Sequence, residues 1–394
     1  MYSIIILFYS GIGNITQSTI NKFIALVSSL DRSQFDIQAD IIQGKDNINS
    51  LGEVFRVITL KTSIKNKVIS SILTEWIFIL RLYHRISSLS PGNIIYIRYP
   101  PISKLTFFLI PLLYYSKHRD VFIIFEHNTK EIFECFHYNW RIAYKCILRE
   151  KLLGKTLRRL AKGMICVTPE ICEYETSLGY QNKSARIVIG NGVHTESIPM
   201  RITPECTTSE IRVLFSGYIQ KWHGVDRFIR GMKRSNLNIS LHIAGSGEEI
   251  IFLKELSRIY GLDDKIFFHG YVTGHEYDHL FNVCHIALGS LGIFRKNLKQ
   301  TSELKVREYC ARGIPFILGC DDPEFPIDFP YLLRVPNDET DVDMTIVQLF
   351  ANRVLEDHSH SRYMRDFAHN TLDWNIKKEQ YQKFFLEICC KYGS

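Results

Sequence analysis

The sequence predicts an α/β protein built from two doubly wound domains, and three observations carry that reading. Its 394 residues exceed what one ordinary core encloses. Short continuous Ile/Val/Phe runs alternate with helical patterns along the chain, as expected of parallel strands covered by helices on both faces. Residues 194–210, rich in Thr, Ser, Pro and Glu, divide that alternation into two series and read as a linker.

The first series, over residues 1–193, offers strands at Ser3–Phe8, Phe35–Ile41, Phe55–Leu60, Ile94–Ile97, Val121–Phe125, Met164–Val167 and Arg186–Ile189. The second, over 211–373, offers Arg212–Phe215, Ile239–Ile243, Lys265–Phe268, His285–Leu288, Pro315–Leu318 and Leu332–Val335. Between the second pair, Glu248–Tyr260 sets Phe252, Leu253, Leu256, Ile259 and Tyr260 at helical spacing on one face. Asp321–Pro330 is a Pro-rich loop. The segment from Trp374 to Cys390 reads as an amphipathic helix with Tyr381, Phe384, Phe385 and Ile388 on its apolar side. Two such series place a ligand cleft at the strand ends between the domains.

Composition narrows the class. The ten cysteines show no C-x-x-C pair, which predicts a reduced compartment without a disulfide frame or zinc site. Ile4–Phe8 is too short for a signal core, and Pro111 interrupts the longest apolar run, Leu105–Tyr115, so a cytoplasmic chain without a transmembrane segment is expected. Charge is uneven: residues 1–193 hold 24 Lys+Arg against 14 Asp+Glu, and the remainder 24 against 27. Residues 56–104 carry 8 basic side chains and Glu75 as their single acid, around Trp76, Ile77, Phe78, Leu80, Leu82 and Tyr83. That segment suits an anionic membrane face, giving a peripheral protein at the inner side of the membrane, or else a core helix with a basic solvated side. No nucleic-acid motif accompanies the charge, so no nucleic-acid partner is expected.

The most informative stretch is 300–315, Gln-Thr-Ser-Glu-Leu-Lys-Val-Arg-Glu-Tyr-Cys-Ala-Arg-Gly-Ile-Pro. A short helix ends at Gly313 and feeds an apolar strand. The free N–H groups around Ser302, Glu303 and Leu304 can hold an anion. Lys305 adds positive charge one turn in, and Glu308 follows three residues later as a hydroxyl-accepting carboxylate. A phosphate grip beside such a carboxylate suits an activated sugar. Arg295 and Lys296, in the loop before it, are further candidates for the phosphates.

These residues and several others resemble the family-4 retaining glycosyltransferases of the GT-B fold. The resemblance spans nearly the whole chain and is strongest over 211–320. Gly11-Ile12-Gly13 is similar to the family's N-terminal glycine loop, and Phe125-Glu126-His127-Asn128 to its histidine loop. Ile189-Gly190-Asn191-Gly192-Val193 resembles the Asn-Gly element before the linker. The run from Phe215 to Asp226 resembles the first donor-domain loop, in a Trp-His-Gly variant at Trp222-His223-Gly224. Ile243-Ala244-Gly245-Ser246-Gly247 and Phe268-His269-Gly270-Tyr271-Val272 resemble two further nucleotide-side loops. Residues 374–391 resemble the helix that crosses back to the first domain.

The resemblance implies a sugar transferred with retention from a nucleoside-diphosphate sugar to a glycan acceptor, lipid-linked, in surface polysaccharide (lipopolysaccharide-type) synthesis. It implies His127, Glu303 and Glu308 as catalytic. It implies Gly13, Lys221, His223, Gly245, Tyr271, Arg295, Lys296, Ser302, Leu304, Lys305 and Glu308 as donor-binding. The chain departs from the pattern in three places. Gln300 stands where the first of the family's two glutamates belongs, and Tyr218 and His223 replace its usual Arg and Lys. Asp341-Val342-Asp343 is read as a surface loop, and no metal or other cofactor is expected. Two other readings stand beside this one: a nucleotide-sugar epimerase of the same fold, and a non-catalytic partner that binds sugar nucleotide or membrane. A dinucleotide oxidoreductase is disfavoured because Thr16 occupies the place of the third glycine after Gly11 and Gly13.

Overall fold

The computed structural model describes residues 2–9, 22, 24, 26–28, 30–43, 55–59, 67–99, 106–135, 140–204 and 210–392. The glycine loop with Gly13, and the basic residues Lys61, Lys65 and Lys104, lie outside them. The chain divides into two compact units, residues 1–190 with 377–394, and residues 191–376.

In the first unit, β1 (Tyr2–Tyr9), β2 (Phe35–Gln43), β3 (Phe55–Thr59), β4 (Ile94–Arg98), β5 (Phe122–His127), β6 (Gly163–Cys166) and β7 (Ala185–Val188) form a parallel sheet. Its order is β3-β2-β1-β4-β5-β6-β7, so the sheet winds both ways from the β1/β4 junction. Its helices are α1 (Lys67–Ser88), α2 (Thr106–His118), α3 (Glu131–Cys135), α4 (Trp140–Arg149), α5 (Lys155–Leu160) and α6 (Pro169–Ser177). A π-helical turn, Glu150–Gly154, joins α4 to α5.

In the second unit, β8 (Ile211–Ser216), β9 (Ile239–Ala244), β10 (Ile266–Gly270), β11 (Ile286–Leu288), β12 (Phe316–Leu318) and β13 (Leu332–Arg334) follow the order β10-β9-β8-β11-β12-β13, all parallel. Its helices are α7 (Val225–Lys233), α8 (Ile250–Tyr260), α9 (Gly274–Val283), α10 (Leu304–Arg312), α11 (Met344–Glu356) and α12 (His360–Phe367). The winding reverses between β8 and β11, which marks their carboxyl ends as the ligand edge of this sheet. The terminal helix α13 (Trp374–Tyr392) enters the first unit at Lys377. There Tyr381, Phe384, Phe385 and Ile388 are buried, with Tyr381 and Phe385 packed edge-on against Tyr96 of β4.

Each predicted strand has its counterpart, shifted by one or two residues at the ends. Continuous burial along β5, and from Val213 to Ser216 in β8, explains their apolar runs. The apolar face read on α8 is corrected by the structure. Leu253 is buried, but Phe252 and Ile259 face solvent, and Ser257 takes the inner place one turn beyond Leu253. The linker is also more structured than its composition suggests. Thr195 bonds Asp373, and Arg201 is buried, donating to the Cys284 carbonyl at 2.8 Å. Residues 194–204 are thus bonded into the second unit.

Candidate functional site

The site in the second unit starts at the end of β8. Gly217 and Gly245 follow β8 and β9 with φ of 126° and 149°, a region that favours glycine. A side chain on Gly245 would run into the Gly217 carbonyl, so the two loops close together only as glycines. The chain then makes a 3₁₀ turn, Lys221–His223, in which the Gln220 N–H donates to His223 Nδ1 at 2.9 Å. Burial, and after it the positive charges of Lys305 and Lys296, hold the His223 imidazole well below its usual range. The ring is therefore neutral. With Nδ1 accepting, its proton sits on Nε2 and is available to donate.

Helix α10 begins beside this turn. Glu303 is its N-cap, and its Oε1 accepts from the Ser290 N–H at 3.3 Å. Leu304, Lys305 and Val306 are the first helical residues, so their N–H groups find no carbonyl one turn back. Lys305 Nζ lies 4.4 Å from the centroid of the Phe215 ring and 3.3 Å from Glu303 Oε2. The angle allows an ion pair but no directed hydrogen bond, leaving both atoms without one among the described residues. Lys305 keeps only 13% of its side chain exposed, and burial pulls its pKa below the usual lysine range although Glu303 opposes the shift. Lys296 is also buried, 4.6 Å above Trp222. Three nitrogens with protons to give thus gather around a helix N-terminus: His223 Nε2, Lys305 Nζ and Lys296 Nζ.

Glu308 occupies the next turn but does not meet Lys305. Its Oε1 accepts from Arg312 Nε at 2.8 Å and its Oε2 from the Tyr277 hydroxyl at 3.2 Å. Its side chain stays 24% exposed, so the carboxylate keeps an open side. The helix itself is riveted by Arg307, wholly buried, which pairs with Asp322 and Glu324 and donates to the Asn191 carbonyl at 3.0 Å. Ser302 is engaged in the same way: its Oγ accepts from the Asn191 N–H at 2.7 Å.

The remaining sequence candidates separate. Arg295 is committed within the protein, donating five hydrogen bonds to Asp226, Glu339 and the Lys221 carbonyl. It braces the loop, its guanidinium engaged on Asp226 and Glu339. Lys221 is exposed, and Tyr271 projects with 79% of its surface in solvent. Gln300 sits in a bridge to Asp321. Asp341 pairs with Arg230 and Arg234, and Asp343 caps α11 through the Thr345 N–H. Among the described residues no cluster of His, Cys, Asp and Glu could hold a metal.

His127 is enclosed as well. It ends β5 in the first unit with no exposure at all, its Nε2 2.9 Å from the Tyr180 hydroxyl and its ring 4.7 Å from that of Tyr99. Burial pushes it down to about 4, against the raising pull of Glu175. As placed it is a neutral imidazole packed against Tyr99 and Tyr180. It belongs to a buried cluster in which Arg158 pairs with Glu150 and, at 2.6 Å, with Glu175.

Sequence reasoning missed Tyr277, Arg307 and the Tyr309 hydroxyl, which accepts from the Ser216 N–H at 3.0 Å. None stands in a recurring spacing. The signal available for Tyr309 was its place next to Glu308.

Residues 204–291 match the sequence profile of "Glycosyl transferases group 1". No curated protein sequence matches. Solved structures similar over the whole chain include Anabaena Alr3699/HepE in complex with UDP and glucose, 12% identical, with 97% of this chain and 99% of that one covered and a TM-score of 0.65. A glycosyltransferase from Rickettsia africae ESF-5 is 14% identical, with 98% of each chain covered and a TM-score of 0.66. The lipopolysaccharide outer core galactosyltransferase WaaB, in its apo form, is 15% identical, with 97% and 99% covered and a TM-score of 0.62. The chain therefore has an α/β fold of the GT-B type and carries a group 1 glycosyl transferase segment at its β8–β11 side.

Proposed function

We propose that this protein transfers a sugar, with retention, from a nucleoside-diphosphate sugar to a glycan acceptor carried on lipid during surface polysaccharide synthesis. The observation that carries the reading is the convergence of Lys305, Lys296, a neutral His223 and the free N–H groups of α10 at the carboxyl edge of β8 and β11. These groups lie in or just beyond the segment that matches the glycosyl transferase profile. In the reaction the departing diphosphate gathers negative charge. Donors fixed in a shielded place stabilise it without reorganising. Glu308 accepts from the ribose hydroxyls through its open side. Attack comes from the face the leaving group departs, and a phosphate oxygen takes the acceptor's proton. Glu303 keeps Lys305 turned to the helix start.

The lipid-linked acceptor rests on the first unit. Helices α1 and α2 present Trp76, Leu80, Tyr83, Phe107, Phe108 and Tyr114 to solvent. Trp76 packs on Phe108 with ring centroids 4.9 Å apart. The one acid of the two helices, Glu75, is buried, and their basic residues include Arg81 and Lys117. An apolar, basic face of this kind suits an anionic bilayer surface, and no described helix is long and apolar enough to cross one.

The test is to incubate the purified protein with UDP- and GDP-sugars in turn, with and without a lipid-linked glycan. Nucleoside diphosphate released only when acceptor is present supports transfer. Conversion of the sugar nucleotide without release supports the epimerase. No turnover of any donor overturns the enzyme reading and favours a binding partner.

A further inference from the structure

The carboxylate of Glu308 is held from two sides, by a residue of its own helix and by one that lies outside every sequence motif. Arg312, one turn later on α10, donates Nε to Oε1 at 2.8 Å. Tyr277, from α9, donates its hydroxyl to Oε2 at 3.2 Å. Each holder is itself fixed. Arg312 Nη1 bonds Asp278 Oδ1 at 2.7 Å, and its guanidinium lies 4.3 Å from the Phe281 ring centroid and 5.2 Å from that of Tyr277. The Tyr277 hydroxyl also lies 3.3 Å from Ser216 Oγ, at the end of β8. Arg312 is buried while Glu308 is not, so the fixed side of the carboxylate faces the protein and its open side faces away.

A carboxylate oxygen accepts more than one hydrogen bond. With one lone pair of each oxygen engaged, Glu308 is left with one acceptor position per oxygen, side by side. Two adjacent hydroxyls on a five-membered ring match that pair. An unrestrained glutamate on a helix surface would lose rotamer freedom on meeting them, a cost removed when the side chain is already held. We infer that Tyr277 and Arg312 are positioning residues that pre-set Glu308 for the vicinal diol of a ribonucleotide, and so set the preference of this site for ribose over deoxyribose. The inference rests on the donor site proposed above.

Lysine at 312 keeps the charge but loses the fork that reaches Asp278 and Glu308 together, so Arg312→Lys does not substitute for it. Tyr277→Phe removes one hydroxyl and keeps the ring beneath Arg312. The experiment compares affinity for UDP with affinity for 2′,3′-dideoxy-UDP by calorimetric titration of the full chain, and repeats the pair with GDP if UDP does not bind. A variant that folds poorly weakens both ligands alike, so the ratio of the two affinities is the readout. Wild type should favour the ribonucleotide by about tenfold or more, the scale of a hydrogen bond to a charged group, and Glu308→Ala should abolish the preference. Tyr277→Phe and Arg312→Lys should each reduce the ratio severalfold with dideoxy affinity unchanged. If Glu308→Ala removes the preference while both other variants retain it in full, the positioning role is overturned and the donor site stands. If wild type shows no preference, the assignment of Glu308 to ribose fails, and this inference with it.

Discussion

Replacing Lys305 by methionine isolates the electrostatic part of the proposed donor site. Methionine keeps most of the apolar stem but removes the ammonium, and with it the contact of Nζ with the Phe215 ring. Lys305 Nζ is shut away from solvent, has no directed hydrogen bond among the described residues, and faces Glu303 at 3.3 Å. A phosphate oxygen arriving there would meet a desolvated cation ready to donate. Hydrogen bonds to charged groups are worth roughly 1.5–3 kcal/mol, which is about 10- to 150-fold in Kd. Titration calorimetry with UDP and with uridine separates this term from packing. UDP affinity should fall by that factor, while uridine, which lacks the diphosphate, should bind the variant as it binds wild type. The pH profile gives an independent sign. Burial lowers the pKa of Lys305, so wild-type UDP affinity should fall as pH rises through that lowered value, and the variant should lack this step. Equal losses for UDP and uridine, or no loss for either, would refute the reasoning.

Three other outcomes follow from the first unit. A β-carbon on Gly154 would sit 2.6 Å from both Arg158 Nη1 and Glu150 Oε1. Gly154→Ala should therefore overpack that buried pair and cost ~1–3 kcal/mol, read as a lowered urea midpoint; an unchanged midpoint contradicts the assigned role of the glycine. His127, among Glu131, Glu175, Arg158, Tyr99 and Tyr180, titrates at about 4 in the folded chain against 6.5 ordinarily. A lowered folded pKa means its contribution is present above about pH 6.5 and is lost as pH falls toward 4. The raised pKa of Glu175 acts in the opposite sense, so the His term is isolated by comparison with His127→Gln. Stability of that variant, followed by urea unfolding at several pH values, should fall less steeply over this window, and identical slopes would count against a buried neutral imidazole. Finally, Trp76→Ser with Phe107→Ser should weaken co-sedimentation with phosphatidylglycerol vesicles while UDP binding persists; undiminished sedimentation would remove α1 and α2 as the membrane face.

The fold was legible because its signals are local. Strands buried on both faces read as apolar runs, and every strand read from the sequence, from Ser3–Phe8 to Leu332–Val335, has its counterpart. Gly313 stopped α10 where a left-handed residue was expected, with φ of 80°. The site was legible only in part. Lys305 was singled out by the helix start it follows, and His223 by the resemblance of its loop. Tyr277 was not, since it reaches Glu308 from a helix 31 positions away in the chain. Arg295 and His127 show the opposite case. Each has the residue type and loop position of a ligand group, yet Asp226 and Glu339 occupy the first, and Tyr99 and Tyr180 enclose the second. Such tertiary partners leave no trace in the spacing of one sequence.

The central claim is that the edge of β8 and β11, with the start of α10, captures a nucleoside diphosphate. A crystal structure of the protein grown with UDP tests it most directly. Phosphate oxygens should lie within hydrogen-bonding reach of Lys305 Nζ, His223 Nε2 and the first N–H groups of α10, with the ribose on the open side of Glu308. Nucleotide density elsewhere on the chain, with Lys305 still facing Glu303 alone, would contradict it.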